Sequence, residues 1–308
     1  MEDFKEKRYN QFSRHLEDIF RQKVYKITLS AGFNCPNRDG TISTGGCIFC
    51  DEGGSFSRAY SDQLSIENQI DNGISFLKKR FKAEKFISYF QAFTNTYAPV
   101  EVLKDIYSRA VEHEDVIGLS IGTRPDCVDA EKIDLISSIA ENKYVWVEYG
   151  LQSIHNRTLN LINRGHTAED FINAVNLTKN KGINICAHVI IGLPGENKQD
   201  ILETAKLLAD LGINGVKFHL LCALKGTTIE QMYYRGEFNP ISIEEYVDIV
   251  CDFLEILPPE VSIHRLAGNG LNEILIAPNW LPQKFKVLNR IDRELLRRDS
   301  FQGKFFKK

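Results

Sequence analysis

No apolar run in this chain approaches the roughly 20 residues that cross a bilayer. Its opening, Met1-Glu2-Asp3-Phe4-Lys5-Glu6-Lys7-Arg8, is too polar to begin a secretory signal. These two absences predict a cytoplasmic protein with no membrane partner. Disulfide spacing is missing as well. The seven cysteines are odd in number and follow no small-domain pattern, so in a reducing compartment the thiols are free or hold metal. A surplus of positive charge is also lacking, and a net charge of −3 argues against a uniformly basic nucleic-acid binder. The G-x-G-x-x-G fingerprint does not follow the first strand-like run, which disfavours a dinucleotide-binding sheet. What remains is a chain of 308 residues, long enough for one large α/β domain or a domain with an appendage.

Against this background Cys35, Cys47 and Cys50 stand out, three thiols spaced C-x11-C-x2-C. The surrounding loop is rich in Gly, Asn, Asp and Ser and cannot pack a core, so these cysteines read as metal ligands. A structural zinc site closes four ligands and a ferredoxin-type cluster takes four cysteines, so a trio leaves one position open. A four-iron cluster with one iron free for a small molecule fits that count; a zinc knuckle completed by a distant His or Cys is the alternative. Cys127, Cys186, Cys222 and Cys251 stand singly and read as small buried residues.

Phe4, Phe12, Leu16, Ile19 and Phe20 recur near the helical period, predicting an amphipathic lead-in within residues 1–23 that covers one end of the fold. Strand candidates follow at Val24–Leu29, Phe86–Ala92, Val116–Gly122, Tyr144–Gly150, Ile183–Gly192 and Gly215–Leu221, with helical periods between them. Thr167-Ala168-Glu169-Asp170 reads as a helix start, and Gly182 and Gly212 stand at helix ends. Six βα units imply parallel strands with right-handed crossovers. Period two places Glu148 with Gln152 on one face of a strand and Lys217 with His219 on one face of another. A covered open sheet should avoid such residues, whereas a barrel lumen holding a polar ligand would use them.

These pieces resemble the radical S-adenosylmethionine (SAM) superfamily, and within it the small bacterial and archaeal members related to the catalytic subunit of Elongator. The matching segments are Phe33–Gly40, Gly45–Cys50, Tyr89–Tyr97, Glu148–Ser153 and Ile190–Glu196. The resemblance implies an α/β fold, a partial (β/α)6 TIM-like barrel over residues 24–225, with the helical lead-in before it and an extension over residues 226–308. It implies that Cys35, Cys47 and Cys50 ligate a [4Fe-4S] cluster whose fourth iron is chelated by SAM. Phe49 would pack beside cluster and adenine, and Gln91, Ala92, Phe93 and Thr94 would meet the methionyl amine. Glu148 and Gln152 would reach the ribose or methionine part. Arg164 would grip the SAM carboxylate with its planar fork, and the turn at Ile191 and Gly192 would pass the adenine. An external electron donor of flavodoxin or ferredoxin type would reduce the cluster, and SAM would yield a 5′-deoxyadenosyl radical.

In the extension, Val261–Leu266 reads as a further strand before a turn at Ala267-Gly268-Asn269-Gly270, and His264 and Arg265 are candidate catalytic residues facing substrate. Near the end Phe285, Leu288, Ile291 and Leu295 form an apolar stripe opposite Lys286, Arg290, Arg293 and Arg297, a basic face suited to a phosphate backbone. The expected activity is modification of transfer RNA near the wobble uridine. A radical enzyme for a small metabolite and a non-catalytic metal- or cluster-binding protein stand as alternatives. The long first cysteine interval is expected to fold across the barrel mouth at the substrate entrance.

Overall fold

The computed structural model describes residues 7–54, 64–268 and 273–307. Phe4 of the lead-in and Asn269-Gly270 of the glycine turn lie outside them. Helix α1 (Phe12–Phe20) precedes strand β1 (Val24–Leu29), and the cysteine loop follows. The repeating part runs α2 (Ile66–Phe81), β2 (Lys85–Phe90), α3 (Val100–Val111), β3 (Val116–Thr123), α4 (Ala130–Ala140) and β4 (Tyr144–Gln152). It continues with α5 (Asn156–Leu161), α6 (Ala168–Thr178), β5 (Asn184–Ile191), α7 (Lys198–Asp210) and β6 (Gly215–Leu220). After it come β7 (Ala223–Leu224), α8 (Thr228–Tyr234), α9 (Ile243–Ile256), β8 (Ser262–Arg265), β9 (Leu275–Ala277) and α10 (Lys284–Arg297).

Local chemistry sets these boundaries. Thr167 and Asp170 satisfy each other's backbone N–H groups in a capping box at the start of α6, as do Asn197 with Asp200 at α7 and Ser242 with Glu245 at α9. Strands β1 to β6 and β8 form one parallel sheet in the order β1-β2-β3-β4-β5-β6-β8. The sheet thus has a seventh strand beyond the six of the repeating units, supplied by the extension. Outward residues such as Phe86, Leu119, Val147, Tyr149, Ile191 and Phe218 are fully buried against the helices.

Side chains meeting across the sheet show that it is curled. Laid flat, β2 and β6 would be about 19 Å apart, four steps of about 4.8 Å. Yet Lys217 Nζ on β6 donates to the Tyr89 hydroxyl on β2 at 2.5 Å. The sheet is an open barrel with these residues in its lumen. Its seam is bridged by α1, which packs on both edge strands, β1 and β8, while the Ile263 N–H donates to the Asn10 carbonyl at 2.7 Å. Phe12 stacks on His264 with ring centres 3.8 Å apart and meets Trp146 edge-on at 5.3 Å, so the lead-in helix closes the amino-terminal end of the barrel.

One packing expectation is corrected in α10. Val287, Ile291 and Leu295 are buried, while Phe285 is 80% exposed and takes no part in the docked face. Phe285 lies in the first turn, on the solvent side of the stripe that packs against α9.

Candidate active site

The carboxyl ends of the strands frame a cavity of about 530 Å³, and Cys35, Cys47 and Cys50 all line it. Three N–H donors face their sulfurs. Asn37 Nδ2 lies 3.6 Å from Cys47 Sγ, Arg38 Nη1 3.4 Å from Cys50 Sγ, and Arg164 Nη1 3.7 Å from Cys47 Sγ. Two of these donors come from the eleven-residue interval itself. That interval is tied to the turn after α5: Asn37 Nδ2 donates to the Asn163 carbonyl at 2.6 Å, and Asn163 Nδ2 donates to the Gly46 carbonyl at 2.7 Å. Burial and the neighbouring Cys47 push the Cys50 thiol up to about 11, with Arg38 opposing. A thiol raised in this way gives up its proton when a cation binds the sulfur.

Phe49, Gln91, Phe93, Thr94, Gln152 and Arg164 line the same cavity, and Ala92 is buried beside them. Phe93 has a positive φ of 59°, which turns its ring under the Arg38 guanidinium, 5.6 Å from the centroid. Thr94 is fully buried, and its Oγ1 has no partner among the described residues. Arg164 Nη2 donates to the Gly150 carbonyl at 2.7 Å, in space open only because residue 150 is glycine; a Cβ there would lie 2.5 Å from that nitrogen. The β5 residues at the cavity wall are His188 and Ile190, whereas the Ile191 side chain belongs to the outer core. Gly192 has φ 85° and faces Ile241, whose side chain an added Cβ would meet at 3.5 Å.

Glu148 occupies the floor of the lumen and is saturated by protein donors. One oxygen is ion-paired with Lys26 and accepts from Ser120 Oγ at 2.6 Å. The other accepts from Tyr89 at 3.1 Å, His188 at 2.7 Å and Lys217 at 3.0 Å. Five donors fill about four acceptor sites of a carboxylate, so Glu148 is taken up by the protein's own side chains and has no lone pair for the expected contact with the ribose or methionine part of SAM. Burial opposes its ionisation, but Lys217 and Lys26 outweigh it and hold the carboxyl well below its ordinary range. Burial draws Lys217 down to about 8 although Glu148 opposes this.

The two extension residues separate. Arg265 lines the cavity, with Nη2 against the His219 ring and Nε 3.4 Å from the Phe218 carbonyl. His264 does not face substrate. It is buried below the floor between Phe12 and Trp146, its ring nitrogens lack a hydrogen-bond partner among the described residues, and burial lowers it to about 3. Sequence reasoning missed Lys26, Tyr89, His188, Asn37 and Arg38. Alternation along β5, which sets Cys186, His188 and Ile190 on one face, was the available signal for His188.

Residues 34–208 match the model of the radical SAM superfamily, and residues 213–297 that of the radical SAM C-terminal domain. The chain belongs to the radical SAM superfamily. It is 45% identical over 303 residues to the uncharacterised protein YtqA of Bacillus subtilis, covering 98% of this chain and 94% of that one. It is 31% identical over 157 residues to the tRNA uridine(34) acetyltransferase of Methanocaldococcus infernus, covering 49% of this chain and 28% of the relative. Among solved structures, the M. infernus Elp3 with an N-terminal deletion shares the fold at a TM-score of 0.67 and 22% identity, over 89% of this chain and 64% of that one. The protein is accordingly an enzyme that uses a [4Fe-4S] cluster and SAM. The site fits both groups: three free thiols converge on one cavity, and Thr94 Oγ1 there awaits a polar partner.

Proposed function

We propose that this enzyme modifies transfer RNA at or near the wobble uridine, in the cytoplasm, with a flavodoxin- or ferredoxin-type protein as electron donor. The observation that carries the reading is its similarity to tRNA uridine(34) acetyltransferases over about half of its length. A second feature supports it. Leu281, three residues before α10, lines the cavity, and α10 then exposes Lys286 and Arg293, cations that would guide a phosphate backbone toward the lumen.

When bound, the cluster and SAM supply reductive cleavage of the sulfonium and a radical that abstracts hydrogen. The chain contributes the rest. Cys35, Cys47 and Cys50 would hold the cluster, with Asn37, Arg38 and Arg164 donating toward their sulfurs. The walls at Phe49, Ile190 and Leu221 exclude water. The Glu148 network fixes the floor of the lumen and would limit how deep a substrate enters.

Nucleoside analysis of transfer RNA from a strain lacking the protein tests the reading. A missing or accumulated wobble nucleoside is expected. An unchanged profile would overturn the proposal and favour a small-metabolite substrate.

A further inference from the structure

The lumen carries more positive than negative charge. Among the described residues Lys26, Lys217 and Arg265 share a single carboxylate, Glu148. The histidines beside them are neutral and add no further positive charge, since burial lowers His188 to about 4 and His219 well below its ordinary value. Lys26 and Lys217 are ion-paired with Glu148. Arg265 is different: among the described residues no carboxylate lies within ion-pair distance of it, and its contacts are the His219 ring and the Phe218 carbonyl. A guanidinium largely removed from water without a counter-ion is unfavourable, and an anion presented to its fork relieves that cost with two bonds.

Position separates this cation from those near the cysteines. Arg38 and Arg164 belong to the cysteine interval and the turn after α5, and both face sulfur. Arg265 and Lys217 sit on β8 and β6, paired in register as direct neighbours. Arg265 also borders a second cavity of about 520 Å³ in the seam between β1 and β8.

We propose that Arg265, supported by Lys217, is a subsite for an anionic group of the substrate, a carboxylate or a phosphate, distinct from the carboxylate of SAM. The proposal rests on the reading of this cavity as the radical SAM site. It names the charge of the substrate group and is independent of whether that substrate is RNA. Arg265 forms a bidentate contact with the anion, and Lys217 adds its charge from the neighbouring strand. The oriented group then holds the substrate carbon against the lumen wall.

The test uses the cluster-loaded protein, anaerobic and saturated with SAM. Inorganic phosphate and acetate serve as probes, with sodium chloride at matched ionic strength as control, and affinity is read by titration calorimetry. At least one probe should bind the wild type, and Arg265→Gln should weaken that binding about tenfold or more, with iron content and circular dichroism confirming an intact variant. Arg265→Lys, which keeps charge but not the fork, should fall between them. Stronger binding of acetate would assign a carboxylate, and of phosphate a phosphate. Absence of binding by both probes in the wild type would overturn the proposal. So would equal binding by Arg265→Gln, or displacement of SAM by the probe, which would give the subsite to the SAM carboxylate. An unchanged transfer RNA profile in the deletion strain would remove the RNA reading and leave these binding results standing.

Discussion

Single side chains of the cysteine interval set the electronic surroundings of the metal site. Arg38 and Asn37 point N–H groups at Cys50 and Cys47 sulfurs, and such donors stabilise the more negative, reduced form of a cluster. Arg38→Met should therefore lower the cluster reduction potential while iron content holds, a shift read by titration monitored with electron paramagnetic resonance. His166 offers a second residue-level test. Burial, with Arg164 and Arg124 beside it, lowers it to about 2, whereas an unfolded imidazole titrates near 6.5. Because the folded value lies below the unfolded one, the stability linked to this group is complete above about pH 6.5 and is lost as pH falls, roughly 2 kcal/mol by pH 5. Urea unfolding of wild type and His166→Gln at pH 5 and 8 should show a loss between pH 8 and pH 5 that is about 2 kcal/mol larger in the wild type, since the other buried histidines contribute alike to both. The cysteine trio was legible in the sequence because three thiols in a polar loop have few other uses. The fates of His264 and Arg265 were not. Alternation would put one of them outside, but the register between β6 and β8 shifts at Val216/Lys217, and the shift sends Arg265 to the cavity while His264 stays under the floor.

At the level of elements, the cysteine interval and the turn after α5 are a single unit. Gly165 has φ 72°, and a Cβ there would lie 2.5 Å from Asn37 Oδ1. Gly165→Ala should displace Asn37 from Cys47 and cost about 1–3 kcal/mol, seen as a lower melting temperature and fewer irons per chain after reconstitution. Helix α10 gives a contrasting lesson. Its four-cation stripe was legible from spacing, but its neutralisation was not, since the partners come from elsewhere in the structure as well as from the helix. Arg290 is ion-paired with Glu244 of α9, and Arg297 with Glu294. Lys286→Glu with Arg293→Glu should thus weaken transfer RNA binding and flatten its salt dependence, by about 0.9 in logarithmic slope for each phosphate no longer neutralised. Arg290→Glu should do less for RNA while also repelling Glu244; filter binding across a salt series separates the two.

For the whole molecule, the strand-then-helix rhythm announced a parallel α/β fold, and polar residues inside strands pointed to a lumen. How far the sheet curls could not be read from the rhythm, because it depends on meetings such as Lys26 with Glu148 and Lys217 with Tyr89 between residues more than a hundred positions apart. The amino-terminal helix completes the enclosure. Phe12→Ala would open the floor beneath His264 and Trp146 and should destabilise the protein by about 3 kcal/mol or more, measured by denaturant unfolding. The same helix has a consequence for the behaviour of many copies together. β8 is a sheet margin, and a bare margin offers its unpaired backbone groups to any passing strand. Here Asn10 and Gln11 occupy that margin at Ile263, so the segment that seals the barrel also keeps neighbouring chains from zipping onto it in a crowded cell.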